Sequence, residues 1–194
     1  MRFSGTASYI ASDELKTAVD AAIAVGYALA VTYPAAGNLG GGGFMTIVFA
    51  DGRKTFLDFR EKAPLKATRD MYLGADGEVV KGLSTRGYLA IATPGTVAGL
   101  EYARQKYGTL SREDLLDPAI ALADNGFVLE PGDVFPLALA SEELRKYPSS
   151  AAIFLKDGRP FAPGERLVQK DLANTLRAIR DYGAAGFYDG AVGA

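Results

Sequence analysis

Chemistry in this chain has to come from a restricted set of side chains. Of its 194 residues, none is cysteine and none is histidine. Disulfides and thiolate metal sites are therefore excluded, and the commonest general base and metal ligand is missing. Carboxylates, hydroxyls, lysine, tyrosine and arginine remain. The stretch that groups them most suggestively runs from Gly37 to Pro64. Four consecutive glycines, Gly40 to Gly43, precede an apolar run, Phe44 to Ala50. An Asp51-Gly52 step, a return run Lys54 to Phe59 and then Arg60-Glu61-Lys62-Ala63-Pro64 follow. Glycine costs conformational entropy, so the run implies close backbone approach or unusual dihedrals.

Asp51-Gly52 between two apolar runs is a hairpin signal. A loop of two or four residues centred there sets Arg60 opposite Gly43. Strand alternation puts Phe56, Asp58 and Arg60 on one face. A guanidinium then stands at the open end of the hairpin, beside backbone without side chains, where it could hold a small anion. The alternative is an Arg60 paired with Asp58 or Glu61 on a solvated edge. Phe44 to Ala50, nearly all apolar, reads as a strand buried on both faces.

The elements that position this stretch follow from periodicity and caps. Ser12, ahead of Asp13 and Glu14, reads as an N-cap, and residues 1–11 as irregular. A helix runs from Asp13 to Thr32, with Leu15, Val19, Ile23 and Ala30 on one stripe and alanine and valine around the rest, so burial on several sides is expected. Asp20 is its only interior charge, and a structural bond to backbone or to an arginine is the expected partner. Pro34 ends the helix. Downstream, the pattern predicts a short helix at 67–73, a loop at 74–87 and a strand at 87–92. A helix at 97–107 follows, with Thr96 as N-cap and Gly108 as C-cap. Further helices are expected from Ser111 to Asn125 and at 131–146, a short hairpin at 153–160, a last helix at 169–182 and a loop at 183–190.

A net charge of −2 with scattered basic residues argues against a nucleic-acid face. The longest weakly charged run, Ala18 to Tyr33, is too short and mild to span a membrane. The N-terminal residues lack the apolar core of a signal peptide. The glycine run does not match a nucleotide-binding loop, which follows a strand and opens a helix.

The order of motifs is more specific than any one of them. Ala-Val-Asp-Ala-Ala from Ala18, Gly-Asn-Leu-Gly-Gly-Gly-Gly-Phe-Met from Gly37 and Asp-Phe-Arg-Glu-Lys-Ala-Pro from Asp58 come first. Ala-Thr-Arg-Asp-Met-Tyr from Ala67, Thr-Pro-Gly-Thr-Val-Ala-Gly from Thr93 and Lys-Tyr-Gly-Thr-Leu from Lys106 follow, then Leu-Val-Gln from Leu167 and Phe-Tyr-Asp-Gly from Phe187. This series resembles the large-subunit half of the γ-glutamyltranspeptidases over residues 17–194. Residues 1–16 depart from the family pattern.

The resemblance implies an α+β fold, the αββα sandwich of the N-terminal nucleophile hydrolases, here incomplete. It implies a precursor that cleaves itself. A threonine at the new N-terminus of the small subunit takes the γ-glutamyl group of glutathione or a related donor and passes it to water or an amine. No threonine here matches that nucleophile, so no catalytic residue is expected within this chain, and alone it is expected to be inactive. Arg60 matches the family arginine that binds the donor α-carboxylate, and Glu61 the acid beside it in a supporting role. No metal or cofactor is implied. The expected partners are a small-molecule γ-glutamyl donor and the small subunit of the same precursor, with no nucleic acid and no membrane span. A periplasmic or secreted location is the family expectation. A cephalosporin or glutaryl acylase and a non-catalytic carboxylate-binding domain are the alternatives.

Overall fold

The computed structural model describes residues 12–193, with side chains from Ala18 onward. The expectations for residues 1–11, the Ser12 cap and Leu15 lie outside the described backbone or side chains. The architecture is α+β: a layer of helices carries one hairpin and a two-residue strand pair. α1 (Ser12–Thr32) leads to β1 (Phe44–Val48) and β2 (Lys54–Asp58). After a long excursion come α2 (Thr96–Tyr107) and α3 (Arg112–Asn125). β3 (Phe127–Val128), α4 (Pro131–Leu144), α5 (Pro148–Phe154) and β4 (Arg166–Leu167) follow, and α6 (Lys170–Tyr182) and α7 (Ala184–Tyr188) close the described chain.

The main core lies where α1, α3 and α6 meet. Ile23, Tyr27, Leu115, Leu116, Leu176 and Ile179 are all at most 1% exposed. α1 buries one stripe only. Ala21, Ala22, Val25 and Leu29 are exposed, because α2 and α3 cover the side that carries Val19, Ile23 and Tyr27. Asp20 has the structural role expected. It accepts the Thr109 N–H and, at 2.5 Å, the Thr109 hydroxyl. The Gly-Thr pair after α2 is thereby tied to the middle of α1. Gln169 does the same for α6: its side-chain amide donates to the Val31 carbonyl at 2.8 Å and its backbone N–H to Ala123. Ser111 caps α3 in a capping box with Asp114. A smaller apolar cluster, Leu129, Leu137, Phe161 and Leu167, sits under α4 and the β3–β4 pair.

Several sequence expectations are corrected. Residues 67–73 form four-residue turns, each closed by a bond between residues three apart, rather than a helix; a segment this short and exposed gains too little from packing to offset nucleation. Residues 87–92 hold one 3-10 turn, Tyr88–Ala90, in place of a strand: Gly87 has φ +78° and Tyr88 is 94% exposed. α2 is capped at Gly95, not Thr96, which is already helical. Ile153 and Phe154 end α5, and only Lys156 and Arg159 pair beyond it. Residues 184–188 form α7 where a loop was expected.

The hairpin register is shifted by one from expectation. Phe44 pairs with Asp58 and Val48 with Lys54. The cause is a three-residue loop. Phe49 donates to the Arg53 carbonyl, Gly52 sits at φ +85°, and the Asp51 carboxylate accepts the Arg53 N–H, the geometry of a type I turn followed by a left-handed residue. Gly43 therefore pairs with Phe59 through two backbone bonds, and Arg60 stands opposite Gly42. Burial on both faces is not found either: Met45, Ile47 and Leu57 face the helices, while Phe44 and Phe56 are 54% and 58% exposed. Among the described residues, no helix is long and apolar enough to cross a membrane.

Candidate functional site

The motifs singled out in sequence converge at one place, the N-terminus of α2. The Gly41 carbonyl accepts the N–H groups of Gly95 and Thr96, at 2.7 and 3.0 Å. The Thr96 hydroxyl donates to the Asn38 side chain at 3.0 Å. Tyr188 arrives from α7: its hydroxyl donates to the Pro94 carbonyl at 2.9 Å and accepts the Ala98 N–H at 3.3 Å. Burial raises the Tyr188 pKa above its ordinary value, keeping the hydroxyl protonated and able to donate. The helix start is thus capped by distant segments rather than by its own side chain.

Glycine makes this convergence possible by allowing contact. A Cβ on Gly95 would lie 2.0 Å from the Phe59 carbonyl oxygen, and one on Gly99 2.2 Å from the Phe59 ring. The start of α2 therefore packs directly on the end of β2. Within Gly40–Gly43 no residue has a positive φ. Close approach is the explanation there too: a Cβ on Gly42 would meet the Phe59 oxygen at 2.5 Å and the Arg60 Cα at 2.8 Å.

Arg60 leaves this seam pointing along the outer face of the hairpin. Its backbone N–H donates to Asp58 and its Nε to Glu61 Oε2, both at 3.0 Å. Its guanidinium lies 5.7 Å from the centre of the Phe44 ring. Among the described residues no hydrogen bond engages its two terminal nitrogens. Glu61's own backbone N–H, then the Arg60 guanidinium and the Gly42 amide, hold the Glu61 carboxyl below its ordinary value. Arg60 is thus paired with Glu61 along one edge and open along the other. A groove of about 550 Å³ adjoins it, lined by Phe59, Pro94, Ala98, Tyr102 and Tyr188, with Lys62 among its lining residues. The arrangement can hold a planar anion at the open guanidinium edge.

The glycine run, the Arg-Glu pair, the Thr-Pro-Gly-Thr segment and the Phe-Tyr-Asp-Gly segment are thus one structural unit. The profile of the family described as gamma-glutamyltranspeptidase matches residues 8–194. The chain belongs to the γ-glutamyltranspeptidase family. It is 64% identical to the glutathione hydrolase proenzyme of Pseudomonas sp. (strain A14) over 195 residues, covering 96% of this chain and 34% of the relative. It is 38% identical to the acylase ACY 1 proenzyme of Pseudomonas sp. (strain V22), covering 91% of this chain and 33% of the relative. The solved γ-glutamyltranspeptidase of Helicobacter pylori superposes with a TM-score of 0.87 at 49% identity, covering 99% of this chain and 56% of that one. The fold class is that of the N-terminal nucleophile hydrolases. The chain spans about a third of the length of the curated relatives it matches.

Sequence reasoning had singled out Arg60 and Glu61, and the two side chains are in contact. It had not singled out Phe44, Asn38 or Tyr188. Asn38, Phe44 and Tyr188 all lie within the family motifs, which is the available signal; the place of Phe44 beside Arg60 also needs the correct strand register.

Proposed function

We propose that this chain forms the donor-carboxylate-binding part of an enzyme that transfers or hydrolyses γ-glutamyl groups. The observation that carries the reading is the Arg60 guanidinium. Its Nε edge is tied to Glu61 at 3.0 Å, and among the described residues no hydrogen bond engages its terminal nitrogens. Two parallel N–H donors on a planar fork match a carboxylate in geometry and charge. Glu61 keeps the fork from rotating. Membership of the γ-glutamyltranspeptidase family supplies the substrate class, with glutathione as the type of donor.

The carbonyl chemistry belongs to a threonine nucleophile on the small subunit of the same precursor. Its free α-amine serves as the base, and a γ-glutamyl–enzyme ester is the intermediate. The contribution of this chain is to fix the far end of the donor, so that the γ-carbonyl is presented in one orientation. In this reading residues 1–194 are part of the large subunit, and the enzyme acts in the periplasm or outside the cell.

A second reading is favoured by the acylase relative: a glutaryl-type acylase of the same superfamily. Glutaryl amides keep the distal carboxylate and lack the α-amine, so Arg60 serves either substrate, and comparing the two amides separates them. The test of Arg60 is a double cycle in the full-length protein. Wild type and Arg60→Ala are each assayed with γ-glutamyl-p-nitroanilide and with its decarboxylated analogue, 4-aminobutyryl-p-nitroanilide. Arg60→Ala should cost on the order of 2–5 kcal/mol in kcat/KM with the first donor and little with the second. Equal losses on both donors would show that Arg60 does not touch the carboxylate. Arg60→Lys keeps the charge without the fork and should fall between.

A further inference from the structure

We propose that Phe44 is the positioning residue for Arg60: its ring is the platform that holds the guanidinium flat with its terminal nitrogens presented outward. The inference rests on the reading of Arg60 as a carboxylate-binding residue. It comes from the observed register. Phe44 pairs with Asp58, so the diagonal positions across the hairpin on the same face are Phe56 on one side and Arg60 on the other. Diagonal neighbours are within reach when a side chain is aromatic or long. Both contacts are made. The Phe44 and Phe56 rings stack at 5.4 Å between centroids with planes 24° apart, and the Arg60 guanidinium lies over Phe44 at 5.7 Å.

The residue directly opposite Arg60 is Gly42, which offers no side chain. Arg60 therefore has no direct cross-strand partner and leans back over Phe44. Glu61 then fixes its Nε. One restraint acts at Nε through Glu61 and one through the Phe44 ring next to the guanidinium, and in this proposal the two together set the plane of the fork. A long arginine side chain held by the ion pair alone would keep much of its rotamer freedom, and ordering it on binding would subtract from affinity. Among the described residues this ring is left open on the solvent side, and Phe44 is 54% exposed. Phe56 acts one step further out, holding Phe44.

The test uses the full-length protein with Phe44→Leu, Phe44→Tyr, Arg60→Ala and the Phe44→Leu/Arg60→Ala pair. A cation over an aromatic ring at an accessible site is a modest interaction. Phe44→Leu should accordingly raise KM for γ-glutamyl-p-nitroanilide about two- to fivefold, with kcat and the KM of the 4-aminobutyryl analogue unchanged. Phe44→Tyr keeps a ring and should restore the wild-type KM. In the Arg60→Ala background Phe44→Leu should add nothing. A Phe44→Leu loss that is equal on both donors, persists without Arg60, or is not rescued by tyrosine would overturn the proposal. If Arg60→Ala itself falls equally on both donors, the carboxylate reading has failed. The platform is then judged from the NMR ring-current shift of the Arg60 side chain: upfield in wild type and Phe44→Tyr and lost in Phe44→Leu supports it, and unchanged in Phe44→Leu overturns it.

Discussion

The α1–α3–α6 layer and the outer face of the hairpin are both rich in large apolar side chains, and only the first hides them. Ile23, Leu115, Leu176 and Ile179 are essentially inaccessible, whereas Phe44 and Phe56 are more than half exposed. In the helical layer the polar groups are also closed within the chain: Asp20 on Thr109, Gln169 on Val31, Glu101 on Arg104, Gln105 and Arg112. On the hairpin face the ordered side chains form a surface relay, Phe56 to Phe44 to Arg60 to Glu61, that ends in an open guanidinium edge. The first region explains why the chain folds. The second carries large apolar side chains that the described residues leave uncovered.

The largest test of that division is a truncation in the helical layer. Leu176→Ala should cost about 2–5 kcal/mol in urea unfolding, because the surrounding helices cannot collapse into the cavity. Gly95→Ala strikes the seam between the regions. Its methyl would sit 2.0 Å from the Phe59 oxygen, so a loss of about 1–3 kcal/mol is expected, with faster amide exchange at the start of α2. A wild-type melting temperature in this variant would mean the seam yields at no cost.

Glu101 sharpens the comparison through pH. Its burial alone would raise the carboxyl pKa, but hydrogen bonds from Arg104, Gln105 and Arg112 outweigh that and hold it below the ordinary value. A carboxyl depressed in the folded state contributes stability that is complete above its unfolded pKa and is lost as pH falls through the folded one. Glu101→Gln should therefore destabilise by about 1–3 kcal/mol at neutral pH, and the gap to wild type should narrow under acid. A gap independent of pH would mean that shape, not charge, is what Glu101 supplies. The smallest effect is expected for Phe56→Ala, within about 1 kcal/mol of wild type. A loss as large as that of Leu176→Ala would erase the distinction between the two regions.

Most of the helical layer could be read from the sequence. The Ser111 capping box, the Leu115–Ala119–Ala123 stripe and the break at Tyr33-Pro34 are local signals, and they locate α3 and the end of α1. The isolated charge at Asp20 announced a structural partner, though nothing local named Thr109. The excursion from Ala63 to Ala92 was read as a helix and a strand because short apolar runs favour either when tertiary packing is ignored. Its turns are set by contacts such as the Lys62–Thr93 bridge, which joins positions far apart in sequence. Arg60 and Glu61 were legible from residue type and motif. Phe44 lies in a motif as well, but its relation to Arg60 was not legible, because a two- or four-residue loop puts Arg60 opposite Gly43 and breaks the diagonal relation. The Asp51 carboxylate bound to the Arg53 N–H and the left-handed Gly52 stabilise the three-residue loop that restores it.

The bond between Asp20 and Thr109 also sets an order of events in time. Its partners are 89 residues apart. At the usual pace of synthesis, the stretch between them takes on the order of ten seconds to make. Until Thr109 has been made, the Asp20 carboxylate lacks the partner it has in the fold, and burying a carboxylate unpaired is costly. Docking of the α1 face that carries Asp20 is therefore favoured once Thr109 is available. The turn between α2 and α3 supplies it, and the same turn delivers α3, the helix α1 must pack against.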